Sequence, residues 1–139
     1  LWRPPDFGII KLNFDASFIQ EKKLATTAVL ARDYKGEVVG AETYLFEDVV
    51  NAFVAEARAC ERALIFASMM CFRRLAVEGD SLSLDMLFDE VTYNFVPRVV
   101  NDAAHILALE GRRRRVYGSW VNGVPDSMRI VVMKDRLTW

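Results

Sequence analysis

Lys11-Leu12-Asn13-Phe14-Asp15-Ala16-Ser17-Phe18 alternates polar and apolar side chains without a break. Successive side chains of an extended strand point to opposite faces. Leu12, Phe14, Ala16 and Phe18 therefore share one face, and Lys11, Asn13, Asp15 and Ser17 the other. The pattern predicts a half-buried β-strand with a carboxylate at its middle. A charge there is costly if covered, so the polar face is expected to lie open to water or to be neutralised by a metal ion.

Upstream, Trp2-Arg3-Pro4-Pro5 is an extended lead-in stiffened by proline. Downstream, Leu24 to Asp33 and Glu37 to Phe46 predict a second and a third strand. Glu21-Lys22-Lys23 marks the first turn, and Arg32-Asp33-Tyr34-Lys35-Gly36-Glu37 has the Asp and Gly punctuation of a hairpin. A helix follows from about Ala52 to Met70, with Asn51 as its N-cap. Arg74 to Glu78 reads as a short strand closed by Gly79-Asp80. Ser81 to Glu90 and Pro97 to Glu110 read as helices, Arg113 to Val121 as a strand, and a short segment runs on to Leu137. This order predicts an α/β domain with a five-stranded mixed sheet, three antiparallel strands and then two parallel ones, flanked by helices. Residues 1–139 show no repeat, low-complexity tract or linker, so a single domain is expected, excised from a longer protein because the chain starts at Leu1.

The composition, 53% hydrophobic and 27% charged over 139 residues, is that of a folded domain rather than a disordered chain. No apolar run approaches the ~18–20 residues of a membrane helix, so no membrane partner and an intracellular location, nuclear or cytoplasmic, are expected. Cys60 and Cys71 would lie ~16 Å apart along a helix, too far for a disulfide, and are expected as buried thiols. Together with the single His105 they match no usual zinc-site spacing. A net charge of −1 gives no strong positive field, so nucleic-acid binding would need a local patch, and Arg112-Arg113-Arg114-Arg115 is the evident one.

Three acidic residues stand out by position. Asp15 lies mid-strand, where an exposed edge-face aspartate is the plainer alternative. Glu56 shares a helical face with Phe53, Ala57, Cys60, Ala63, Leu64 and Ala67, a stripe that should pack on the sheet unless Glu56 sits at its edge. Asp80 ends a strand, where it serves either as a helix cap or as a functional residue at a strand's carboxyl end. Brought together, the three would raise one another's pKa values, which makes sense mainly as a seat for a divalent ion with hard oxygen ligands, Mg²⁺ or Mn²⁺. Two such ions ~3.5–4 Å apart are the usual device for phosphodiester hydrolysis.

In this set of pieces the chain resembles the plant ribonuclease-H-like domains, related to type 1 ribonuclease H and to retrotransposon-encoded copies. Trp2-Arg3-Pro4-Pro5 with Gly8, Lys11-Leu12-Asn13 and Asp15-Ala16-Ser17-Phe18 resemble the family opening, W-x-P-P…G-x-x-K-x-N-x-D-[GA]-[SA]-F. Arg32-Asp33 with Gly36 resembles its R-D-x-x-G turn, and Ala55-Glu56-Ala57 the A-E-A of its first helix. Val77-Glu78-Gly79-Asp80-Ser81 resembles V-E-[ST]-D-[SC]. The resemblance implies a two-metal nuclease that cuts the RNA strand of an RNA–DNA hybrid, with Asp15 bridging both ions and Glu56 and Asp80 each helping to hold one.

The family closes with H-x-P-R-E-x-N-x-x-A-D-x-L-A, whose last Asp is a fourth carboxylate. Aligned through the last expected strand, Trp120 takes the His position and Ile130 that of the final Asp. Ile130 cannot hold a metal ion. Asp126 lies one helical turn earlier and would reach in only if the turn is rebuilt; Asp135, five positions on, is a weaker candidate still. Thr26, Thr27 and Ala28 replace glycines that the family favours.

Arg112 to Arg115 is expected to open the fifth strand, where alternation leaves two, such as Arg113 and Arg115, on the active-site face beside Asn13 and Ser17 as a nucleic-acid contact. The alternative is a solvated strand start that blunts an edge. Three functions remain open. They are a hybrid-binding domain with weak or lost cleavage, an active divalent-metal ribonuclease of the ribonuclease H type, and a protein-interaction module using Trp120, Trp139 and Phe95-Val96-Pro97.

Overall fold

β1 (Ile10–Ile19) lies near the middle of a six-stranded sheet in a computed structural model that describes residues 1–80, 91–114 and 118–138. β2 (Leu24–Arg32) and β3 (Val38–Phe46) continue it as an antiparallel meander. Lys23 closes the first turn at φ 51°, and the second is held by Asp33 Oδ1, which accepts from the backbone N–H groups of Lys35 and Glu37. Gly36 sits there at φ 75°, a conformation that favours glycine. α1 (Ala52–Met69) starts where expected, with Asn51 Oδ1 accepting from Val54 N at 2.8 Å. β4 (Leu75–Gly79) then returns parallel to β1.

Beyond β4 the chain departs from expectation. β5 (Val91–Phe95) adds a parallel strand outside β4, between two segments whose sequence predicts helix. α2 (Asp102–Arg114) runs through Arg112 and Arg113, which are helical and do not open a strand. Arginine is a good helix former, and the helix runs on through Gly111, whose missing side chain lets it pass close to Thr26 and Thr43. β6 (Gly118–Val121) is the remnant of the expected fifth strand, and it pairs antiparallel with β3. α3 (Arg129–Thr138) closes the chain. The sheet order is β5-β4-β1-β2-β3-β6, six strands rather than five. The helix expected over 81–90 lies outside the described residues, as do Arg115 and Trp139.

Helices cover both faces. Leu12, Phe14, Val29 and Ala31 pack against Ala59, Ala63, Phe66 and Ala67 of α1. Ala28, Leu30 and Ala41 pack on the other side against Ala103, Leu107 and Ala108 of α2 and Val132 of α3. The polar face of β1 is therefore not open: Asn13 and Asp15 are both 0% exposed.

Its groups are paired inside instead. Asn13 Oδ1 accepts from Trp2 Nε1 at 2.9 Å and from an Arg32 amine at 3.2 Å. Its Nδ2 donates to Glu78 and to Asn101, both at 3.1 Å. Arg32, fully buried, stacks 3.9 Å above the Trp2 ring and donates to Asp135 Oδ2 at 2.7 Å. Cys60 is buried as expected, which pushes its thiol up to about 12; Cys71 is exposed, and the expectation of a buried thiol is corrected there. No helix among the described residues is long and apolar enough to cross a membrane.

Candidate metal centre

β1 and β4 run parallel in a register that pairs Asn13 with Glu78. Continued by two residues, that register sets Asp15 level with Asp80, just where β4 has ended at Gly79. Carboxyl ends of parallel strands are the usual place for functional side chains in such sheets. Glu56, one turn into α1 at the edge of its packed stripe, supplies the third carboxylate. One oxygen from each of Asp15, Glu56 and Asp80 lies within 4.8 Å of the others. The three residues singled out in the sequence are thus brought to one point.

Such crowding has an electrostatic signature. Glu56 is pushed up to about 8, first by burial, then by the charge of Asp15 and a hydrogen bond to it, then by Asp80. Asp15 is also raised, by burial and then by Asp80, while His105 and Arg98 pull the other way. Asp15 Oδ1 and Glu56 Oε2 are buried with no hydrogen-bond partner. Buried carboxylate oxygens without donors are costly unless a cation or a shared proton meets them.

The far side of the cluster is built by the start of α2. Asn101 Nδ2 donates to Phe14 O at 2.7 Å, fastening α2 to β1 beside Asp15. His105 Nδ1 lies 2.7 Å from Asp15 Oδ2, and His105 Nε2 lies 3.3 Å from Arg98. Arg98 Nε in turn donates to Asp80 Oδ2.

A family model described as reverse transcriptase-like matches residues 13–87, more than half of the chain. The chain belongs to that reverse transcriptase-like family. Two solved structures share its fold. The RNase H1 of the halophilic archaeon Halobacterium salinarum NRC-1 is 21% identical, with a TM-score of 0.66 over 76% of this chain and 98% of that one. The N-terminal RNase H domain of a Mycobacterium tuberculosis protein, solved as a fusion with maltose binding protein, is 15% identical, with a TM-score of 0.61 over 77% of this chain and 97% of that one. The fold of this chain is therefore ribonuclease-H-like. A comparison with curated proteins finds no match.

Within this reverse transcriptase-like domain the closing motif is not where the last strand suggests. β6 pairs with β3 and places Trp120 opposite Ala41, while Ile130 is 81% exposed on α3. The helix that reaches Asp15 is α2, which follows β5. Set on Phe95 to Ala108, the motif H-x-P-R-E-x-N-x-x-A-D-x-L-A finds Pro97, Arg98, Asn101, Ala104, Leu107 and Ala108 in place. Its departures are Phe95 for the His, Val99 for the Glu and His105 for the fourth Asp. The position assigned to Ile130 is therefore that of His105. The signal is present in Val96-Pro97-Arg98 and Asn101, and the helical pattern from Pro97 onward obscures it.

Of the remaining candidates, Asp126 does not join the cluster; its side chain is almost wholly exposed and pairs with Arg129 at 3.1 Å. Asp135 serves Arg32 instead. Asn13 is sealed inside the polar network and cannot touch a ligand. Ser17 is nearly buried and accepts from Arg112 at 3.2 Å. Arg113 is exposed and pairs with Glu110 one helical turn back, its closest approach 2.6 Å.

Proposed function

We propose that this ribonuclease-H-like domain binds RNA–DNA hybrid, holds a divalent cation at Asp15, Glu56 and Asp80, and cuts the RNA strand slowly. The observation that carries this is the pair of buried, unpartnered oxygens, Asp15 Oδ1 and Glu56 Oε2, inside a cluster of three carboxylates. The donor set is all oxygen and anionic, which suits Mg²⁺ or Mn²⁺ better than softer metals. Once bound, such an ion supplies charge stabilisation at a phosphodiester and a more acidic water.

The chain's own residues position the rest. His105 fixes the orientation of Asp15, and Arg98 holds Asp80. Arg112 and Arg113, on the same helix as His105, supply positive charge for a nucleic-acid backbone. Replacement of the fourth carboxylate by a nitrogen side chain is the reason to expect slow turnover.

The test is incubation of labelled RNA–DNA hybrid with the domain in Mg²⁺ or Mn²⁺, beside Asp15→Asn. Slow metal-dependent cleavage of the RNA strand, lost in Asp15→Asn, is the expected outcome. Binding of hybrid with no cleavage would leave a binding domain. A domain that neither binds nor cuts would overturn the reading.

A second reading, a surface for a protein partner, is favoured by α3, where Ile130, Met133 and Leu137 form an apolar stripe that faces solvent.

A further inference from the structure

A guanidinium has five N–H donors and no acceptor. The contact of Arg98 with His105 Nε2 at 3.3 Å therefore requires Nε2 to accept, which puts the ring proton on Nδ1. That N–H points at Asp15 Oδ2, 2.7 Å away. One oxygen of Asp15 is thus engaged by a donor, and the other, Oδ1, is the one left buried without a partner.

We infer that the centre takes one divalent ion, where the family resemblance implies two, and that His105 sets this number. The inference rests on the function proposed above. An Asp15 that bridges two ions ~3.5–4 Å apart offers an oxygen to each, and here the second oxygen faces an N–H. At the position where the motif has a fourth carboxylate, the chain presents a hydrogen-bond donor.

Charge points the same way. With Glu56 ionised on metal binding, Asp15, Glu56 and Asp80 carry three formal negative charges and Arg98 one positive charge, so two negative charges remain, and one divalent ion balances them. A second ion would leave an excess of two positive charges in a cluster whose central residue is fully buried.

The experiment counts ions instead of measuring turnover. Calorimetric titration of the intact domain with Mn²⁺ gives the stoichiometry, and electron paramagnetic resonance separates an isolated Mn²⁺ from a spin-coupled pair. The wild-type domain is expected to bind one uncoupled ion, Asp15→Asn none, and His105→Asp two coupled ions. Two coupled ions in the wild type would overturn this inference and leave the proposed function standing. No binding in the wild type would overturn both. A single ion in His105→Asp that keeps the wild-type circular dichroism would show that His105 does not set the number. If that variant does not fold, the wild-type count alone decides.

Discussion

His105 Nδ1 and Asp15 Oδ2 meet at 2.7 Å across 90 residues of sequence, joining α2 to the central strand at the most buried carboxylate of the cluster. The contact does two things: it orients Asp15, and it opposes the burial that raises its pKa. Arg98 links the same imidazole to Asp80, so the start of α2 and the turn before it hold two of the three carboxylates.

His105→Ala is expected to move the midpoint of Asp15 upward, because a hydrogen bond that favours its charged form is gone while burial and Asp80 remain. Carboxyl-carbon NMR titration of the metal-free domain checks this. A midpoint that falls or stays put would show that the contact does not stabilise the carboxylate.

Glu56 gives the metal-free domain a pH-dependent stability. Its folded-state value is pushed up to about 8 from 4.5, so between those limits the folded state holds a proton that the unfolded state has released. Stability from this group is complete below about 4.5 and falls as pH rises towards 8. Urea titrations from pH 5 to pH 8 should show that decline in the wild type and a flatter profile in Glu56→Gln.

Asp135→Ala strips the ion-pair partner from the fully buried Arg32 and should cost about 3–5 kcal/mol. Asp126→Ala removes only a solvated pair and should stay within about 0.5 kcal/mol of wild type. Denaturant midpoints for the two variants make the comparison, and equal losses would contradict the structure.

Gly79→Ser would place a Cβ against the Phe14 ring, in the strand end that delivers Asp80. Overpacking of this kind costs about 1–3 kcal/mol. In a Phe14→Val background the same change should cost less, and a double-mutant cycle reads the coupling. Simple additivity would mean that the ring does not set the constraint.

Arg112→Ala with Arg113→Ala should weaken hybrid binding and lower the salt slope by about 0.9 for each phosphate no longer neutralised. Fluorescence anisotropy across a salt series measures it. An unchanged slope would place the nucleic-acid face elsewhere.

The first 80 residues are largely legible in the sequence because their signals are local. The alternation around Asp15, the Asp33 and Gly36 turn, and the Asn51 cap each dictate a conformation within a few residues. Asp15, Glu56 and Asp80 are recoverable for the same reason: each sits on an element whose identity its neighbours reveal. The second half misleads where local signals compete. Val91–Phe95 is short, β-branched or aromatic at every position but Asn94, and lies beside expected helices, while Arg112 and Arg113 suit a helix as well as a strand start. Reading β6 as the strand that precedes the closing motif then hides His105. That Asn13 is interior is also invisible, since its partners Trp2, Glu78 and Asn101 lie 11, 65 and 88 residues away.

Arg32 is sandwiched between Trp2 of the lead-in and Asp135 of the closing helix. A guanidinium sealed from water tolerates the loss of neither its aromatic cover nor its counter-ion, so the first residues and the last helix are obliged to melt in one step. Amide exchange should find them in the same cooperative unit, and pulling either end loose would flood the network that seats Asn13 and, one strand position beyond Phe14, the backbone that carries Asp15.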